Sequence, residues 1–416
     1  MKRARIAKSI GFIESVSIAL SLIIGSSIFV FPLIAARDAG PLSIIGWILG
    51  AVYAFIAALL LSELAIKYPK EGGPYAYLNK AFGLRVGFVS GWVFWLSYVF
   101  SLSVEIMILK LFFDFFLPMN SLIIAISISI LMAILNILGM KLSGKIENIL
   151  TLIKVMSILT ILFFSFQKFD LVHMKHMPSG NPMQLIFYST LISMYAYTGF
   201  EIVTVPEEEI KNARKIIRRS MMTAITLSSV FFILSVIAII GVKDWQSYGS
   251  YNTLFDLYYE INPLVSYVVL IGGIISVITS INALIVGSSR ISFSMSRDGM
   301  LPSFFDHINS NNAPDYSILF QLVSALLVML VISDIEFLAI FSISLVISIY
   351  FACTIASLKL IKHNIIENRI LAFVVFFLSF LMLLYMGFQV VVFLTFSIIS
   401  GILFYFLEKF RLSSKR

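Results

Sequence analysis

Charge is what this chain has least of. Asp, Glu, Lys and Arg make up 12% of its 416 residues, about half the share usual in soluble domains. Apolar residues make up 60% and the mean hydropathy is +1.00, which leaves too little polar surface to solvate a globule of this size. A single cysteine, Cys353, excludes an intramolecular disulfide framework and a thiolate metal cluster. Histidine is nearly as rare, at four. His173 and His176 flank Met174-Lys175, a spacing that could suit a metal, but no third ligand accompanies them and no metal site is expected. Outside the apolar runs there is no glycine-rich phosphate cradle, nucleophile elbow or paired-carboxylate hydrolase pattern. An enzymatic reading lacks a site, and no cofactor is expected.

Long apolar runs are what the chain has in abundance. Twelve, near 12–36, 41–66, 86–117, 121–141, 149–167, 184–205, 220–242, 264–289, 317–333, 336–360, 370–386 and 388–408, approach the roughly 20 residues that cross a bilayer as a helix. The net charge of +8 invites a nucleic-acid partner, which its distribution rejects. Of the 30 Lys and Arg, 24 fall at the two termini and in every second connection. Arg37, Lys168, Lys175 and Lys243 fall in the other connections, and Lys110 and Lys154 lie inside runs. That asymmetry follows the positive-inside rule. It predicts an all-α, multi-pass protein of the plasma membrane with both termini cytoplasmic and the lipid bilayer as its surroundings. Met1-Lys2-Arg3-Ala4-Arg5 opens like a signal peptide, but the apolar stretch is too long and no small-residue cleavage site follows, so it reads as an uncleaved first span. Neither end is long enough for an appended folded domain.

Two runs are interrupted where a membrane helix should be smoothest. The first reads Ile23-Ile24-Gly25-Ser26-Ser27-Ile28-Phe29 and the sixth Tyr195-Ala196-Tyr197-Thr198-Gly199-Phe200-Glu201. In lipid, unwound backbone is tolerated only where it is buried in protein or lines a cavity. A matched pair of glycine-interrupted spans points to the binding site of a transporter. A half-helix N-terminus offers free N–H groups and the positive end of a dipole, a seat for a carboxylate. The backbone of Gly25, Ser26 and Ser27 is therefore assigned to a substrate carboxylate. Small residues packing helices together is the competing explanation for these three.

The motifs around these breaks match a family. Gly25-Ser26-Ser27-Ile28-Phe29 with Pro32 resembles the first-span signature of amino-acid permeases of the amino acid–polyamine–organocation superfamily. Tyr68-Pro69-Lys70-Glu71-Gly72-Gly73-Pro74-Tyr75, Gly91-Trp92, Phe200-Glu201 with Glu208-Glu209-Ile210-Lys211-Asn212, and Ser289-Arg290 with Arg297-Asp298-Gly299-Met300-Leu301-Pro302 agree in the same order. The last four runs match by hydropathy alone. Two departures stand out: Ser27 occupies a position that is usually glycine, and Ala213 and Arg218 occupy positions that are usually proline. Ser27 is expected to narrow backbone freedom beside the ligand.

The resemblance implies a leucine-transporter-like fold. Residues 1–167 and 168–369 would form two five-helix repeats of opposite orientation, and 370–416 two peripheral helices with a short tail. It implies an amino-acid substrate whose ammonium lies near the carbonyls of Ile23, Tyr195 and Thr198. Tyr197 and Phe200 are candidates to close over it, with ordinary aromatic packing as the alternative. Gly199 is part of the second break, and the pocket candidates Ile28, Tyr98, Ser101, Leu102 and Tyr197 suggest neutral or aromatic side chains, while Glu105 leaves cationic ones open.

Ser276, Thr279, Ser280 and Ala283 form a small polar stripe where the fold carries a sodium site or its substitute. Lys154 is the candidate substitute. An ionisable residue within a span is a functional hypothesis by default, although Lys154 could instead snorkel to the interface. Burial disfavours the charged form of a lysine, so one that gains and loses a proton could replace bound sodium. Glu105 could select a cationic group or be bonded within the bundle. Glu201 could tie the unwound stretch or carry a proton. The expected function is secondary active amino-acid transport, with proton symport ahead of exchange. A non-transporting amino-acid sensor is the reading from another class.

Overall fold

The computed structural model describes residues 10–115, 117–206, 209–250, 253–361 and 365–413. The basic cluster before Ile10, and Glu208 of the matched motif, lie outside them. The chain runs α1 (Phe12–Ile23), α2 (Ser27–Ala39), α3 (Leu42–Lys67), α4 (Pro74–Phe82), α5 (Leu84–Asp114), α6 (Ser121–Ile137), α7 (Met140–Gln167) and α8 (Pro182–Tyr197). It continues through α9 (Ala213–Val242), α10 (Leu254–Ile261), α11 (Pro263–Arg297), α12 (Asp315–Val331), α13 (Ile335–Leu360), α14 (Ile365–Tyr385) and α15 (Phe388–Ser413). Among the described residues the sole extended pairing is an isolated bridge between Ile10 and Ile210.

Among the described residues eight stretches are long and apolar enough to cross a membrane: Phe12–Ala39, Leu42–Lys67, Leu84–Asp114, Asn148–Gln167, Ala213–Val242, Pro263–Arg297, Ile335–Leu360 and Phe388–Phe410. Ser121–Ile137, Asp315–Val331 and Arg369–Tyr385 are apolar but shorter. The run expected over 184–205 is not one helix, because α8 stops at Tyr197 and a 3-10 turn, Phe200–Thr204, follows.

The exterior is as apolar as the interior. Phe373, Phe396, Phe406 and Leu407 stand on exposed faces of α14 and α15, the most weakly covered part of the bundle. The interior is instead rich in hydroxyls. Ser228, Ser288, Ser292 and others are buried and bond to the carbonyl three or four residues back. A membrane helix hides its polar groups in this way while keeping side chains small enough for close packing.

The end of the bundle that carries Ile10 and the ends of α3 and α11 is heavily cross-tied. Ile10 donates to the Glu209 carbonyl at 3.1 Å and accepts from the Lys211 N–H at 2.9 Å. Arg290 Nε meets Glu209 Oε1 at 3.3 Å, with both side chains buried. Lys70 Nζ lies 2.7 Å from Asp298, which also accepts from the Tyr75 hydroxyl at 3.0 Å. Burial, and then the Asp298 charge, hold the Tyr75 hydroxyl protonated well above the ordinary phenol range. The Gly72 N–H donates to the Val205 carbonyl, and Ser294 to the Glu71 carbonyl. The segment before α1, the loop after α3, the exit from the 3-10 turn and the end of α11 are thereby clamped together.

Candidate functional site

Both interruptions are real breaks, and they touch. α1 ends at Ile23 and α2 starts at Ser27, with Gly25 at φ +26° between them. Ser26 is right-handed at φ −69°. Only Gly25 needs the freedom of glycine, so Ser27 costs the backbone nothing and the expected narrowing at that position is not found. Gly199, at φ +107°, separates α8 from the following turn. A Cβ on Gly199 would lie 2.6 Å from Cγ of Leu22, on the last turn of α1.

A small cavity of about 30 Å³ lies at this junction. Leu22 and Ser27 line it from the first break, and Tyr195, Thr198, Gly199 and Glu201 from the second. α5 contributes Ser97, Ser101 and Glu105, spaced four apart on one face, together with Tyr98. Leu284 of α11 and Val346 of α13 complete the wall.

Several of these polar groups are held in place. Glu201 accepts from the Gly199 N–H at 3.0 Å and from the Tyr350 hydroxyl at 2.6 Å, which ties the open backbone of the second break to α13. Ser101 and Ser342 share a hydrogen bond of 2.6 Å. Glu105 Oε1 accepts from Ser26 Oγ at 3.1 Å. Glu105 Oε2 and the Tyr98 hydroxyl have no hydrogen-bond partner, although both side chains are almost fully buried.

Behind the first break lies a second polar cluster. Lys154 is fully buried on α7; its ammonium donates to Thr279 Oγ1 at 3.0 Å and points at the Ser21 carbonyl at 3.5 Å. Ser280 also donates to the Ser21 carbonyl, and Ser276 donates to the Gly25 carbonyl. Thr151, one turn before Lys154, shares a hydrogen bond with Ser21. Lys154 does not snorkel: its side chain turns into the bundle and braces α1 against α11.

Of the residues assigned from sequence, Ser27, Tyr98, Ser101, Glu105, Tyr195, Thr198, Gly199 and Glu201 line the cavity, with Gly25 and Ser26 immediately behind. Lys154, Thr279 and Ser280 meet in the second cluster. Ile23, Ile28 and Leu102 are buried but do not line the cavity. The Tyr195 carbonyl already accepts from the Thr198 N–H at 3.2 Å and Thr198 Oγ1 at 2.7 Å.

Tyr197 is the clear departure. Its ring packs edge-on against Trp47 of α3 and Phe232 of α9, away from the cavity. Two residues of helix turn a side chain by about 200°, so Tyr195 and Tyr197 face opposite ways and Tyr195 has the cavity. Phe200 stacks on Tyr350, and its ring serves packing. Sequence reasoning missed Leu22, Ser97, Leu284, Val346 and Tyr350. Ser97 was within reach, one helical turn before Ser101.

Across residues 10–406 the chain matches the model of the family described as "Amino acid permease". It is 25% identical over 333 residues to the gamma-aminobutyric acid permease of Escherichia coli (strain K12), covering 76% of this chain and 71% of that one. It is 25% identical over 340 residues to the serine/threonine exchanger SteT of Bacillus subtilis (strain 168), covering 78% and 77%. A third relative, the methylthioribose transporter of the same Bacillus, is 26% identical over 332 residues, covering 74% and 71%. With broken apolar helices enclosing a polar cavity, and with the family model spanning nearly its whole length, this chain belongs to the amino acid permease family of the amino acid–polyamine–organocation superfamily, as a multi-pass membrane transporter and not an enzyme.

Proposed function

We propose that this protein is a secondary active transporter that carries an amino acid across the plasma membrane by alternating access, in symport with a proton. The observation that carries the reading is the meeting of two helix breaks at one buried polar cavity, with Gly199 packed on Leu22. The names of the relatives, a permease and an exchanger of amino acids among them, support an amino-acid cargo. The amides opening α2 would take its carboxylate, and the carbonyls of Ile23 and Thr198 its ammonium.

Helix pairing supports a twelve-span, 5+5 inverted repeat with boundaries near 167 and 369. α3 packs on α8, while α9 packs on α1 and α2; α5 packs on α13, while α11 packs on α7; α12 packs on α5, while α6 packs on α11. Each pair becomes its partner when the first five spans are exchanged with the next five. The eight long spans, the three shorter helices and the interrupted α8 supply the twelve.

The two ends of the cavity are closed unequally. The clamp of Arg290, Glu209, Lys70 and Asp298 seals the lysine- and arginine-rich end, which the positive-inside rule places in the cytoplasm. Towards the other end, Phe31 and Tyr195 stand 4.8 Å apart between ring centroids, and beyond them lies a larger chamber of about 210 Å³ that Tyr195 also lines. A thick seal on one side and a thin one on the other suit a bundle that opens one side at a time.

A proton is favoured over sodium because the Lys154 ammonium already claims Thr279 Oγ1 and the Ser21 carbonyl, oxygens a sodium ion between α1 and α11 would need. Lys154, Thr279, Ser280, Glu105 and Glu201 are the coupling groups. The test is uptake of labelled amino acids into proteoliposomes under an imposed pH gradient. Accumulation without internal substrate is expected. Uptake that requires internal substrate would replace symport by exchange, and saturable binding without uptake would favour a sensor.

A further inference from the structure

The carboxylate seat at the head of α2 has a resident. Glu105 reaches it from α5: Oε1 accepts from Ser26 Oγ at 3.1 Å, and the Ser26 amide faces the same carboxyl group. A Cβ on Gly25 would lie only 3.4 Å from Oε1. The other oxygen, Oε2, has no partner, and the residue is 4% exposed and lines the cavity. A substrate carboxylate bound to the amides of Gly25, Ser26 and Ser27 would lie against this side chain.

Two carboxylates sharing a buried site do not both ionise readily. Lys154 and Ser280 lie near Glu105, but each has a hydrogen bond elsewhere. Lys154, from α7, is directed to Thr279 and the Ser21 carbonyl. Ser280, from α11, gives its proton to that same carbonyl. Tyr195 of α8 and Tyr98 of α5 are neutral phenols, and Glu201, on the turn after the second break, is engaged by Gly199 and Tyr350. Lys110, five residues further along α5, is bound to Asp114.

We propose that Glu105 carries the coupling proton, because its carboxylate and that of the substrate claim the same helix end and only a neutral Glu105 lets both reside there. This rests on the amino-acid reading above and assigns its proton. Protonated Glu105 gains an O–H that can donate to the incoming carboxylate, a charge-assisted bond. One proton is bound with each substrate and leaves with it: when the cargo departs, Glu105 loses the proton to the side then open and returns to Ser26. Lys154 is the fixed charge that braces the break and is a positioning residue.

The test measures affinity against pH on the full-length chain in detergent or nanodiscs. The probe is the strongest binder among the common amino acids and 4-aminobutyrate. Wild-type affinity should weaken by up to tenfold per pH unit over the range where Glu105 titrates, the slope for one linked proton. Glu105→Gln should flatten this profile, and Glu105→Asp should keep it. Should Glu105→Gln fail to fold, Glu105→Asp decides instead: the pH range over which affinity falls should move relative to the wild type, while adding the probe to a weakly buffered sample on the alkaline side should still take up one proton per site, and an unmoved range overturns the proposal. A slope that survives in Glu105→Gln, or no proton uptake, overturns the proposal. Loss of the slope in Lys154→Met with its retention in Glu105→Gln moves the proton to Lys154 and leaves symport standing. Absence of binding by every probe at every pH sinks this inference together with the amino-acid reading.

Discussion

The Arg290–Glu209 pair offers a direct measure of how firmly the clamp at the end of α11 is locked. The two groups meet at 3.3 Å with side-chain exposures of 1% and 2%, so solvent and salt screen them little. With an effective dielectric of about 20, two unit charges 3.3 to 4 Å apart attract by about 4–5 kcal/mol. The observed cost of stripping one partner from a buried pair is similar, about 3–5 kcal/mol, because the remaining charge stays buried alone. Arg290→Ala should therefore destabilise the folded protein by that amount in reversible denaturant unfolding from mixed micelles. Glu209→Ala should do the same, since among the described residues Arg290 would keep only the Ser289 hydroxyl and the Val286 carbonyl. The double variant should be far less damaged than the two costs added together, with a coupling energy of at least about 2 kcal/mol. The clamp closes one side only, so a cysteine placed beside it should react faster with a thiol reagent in Arg290→Ala than in the parent. A coupling energy below about 0.5 kcal/mol would mean that the pair does not hold the clamp.

Other perturbations probe the breaks and the ties around them. Gly199→Ala forces a side chain into the left-handed region and against Leu22, and it should cost at least about 1–3 kcal/mol and abolish uptake in proteoliposomes. Tyr350→Phe removes the donor to Glu201 and should raise amide exchange across 199–204, with a loss of about 1.5–3 kcal/mol. Lys154→Ala removes the ammonium that braces Ser21 and Thr279 and should lower uptake by at least about tenfold, read as initial rate; a change within twofold would deny it that role. Tyr75 has its proton affinity raised on folding, so its contribution is complete below the unfolded value of about 10 and fades as pH climbs above it. Stability should fall in that alkaline range, and Tyr75→Phe should remove this part of the fall.

The glycines of both breaks were legible because only a few residue types tolerate unwinding in lipid, and such residues stand out in an apolar run. Which side chains then face the cavity was much less legible. α8 is apolar on nearly all sides, so its composition carries no stripe to fix its rotation. Tyr197 was as good a candidate as Tyr195 until the helix was placed, and packing on Trp47 and Phe232 decided between them. α5 was easier: Ser101 and Glu105 stand four apart, and the same spacing extended backwards gives Ser97. Tyr350 and Val346 lie in a run known only by hydropathy, and their roles depend on contact with a break about 150 residues away. Arg290 and Glu209 were both visible in motifs, but nothing local in the chain pairs residues 81 apart.

Two polar clusters flank the first break, and their different surroundings give them different work. Lys154 is bonded to Thr279 and beside the Ser21 carbonyl, with α1, α7 and α11 all contributing, and it does not line the cavity at the breaks. A charge held that way serves best as a constant. Glu105 has one oxygen on Ser26, the other with no hydrogen-bond partner among the described residues, and shares the α5 wall of the cavity with Ser97, Tyr98 and Ser101. A substrate arriving at the amides of α2 must disturb that second group and can leave the first alone. Ligands shift a conformational equilibrium only through contacts that differ between its states. On the proposal made above, the coupling of cargo to proton would belong to the carboxyl group beside which the cargo binds, and the lysine would supply the rigid break against which that binding is felt.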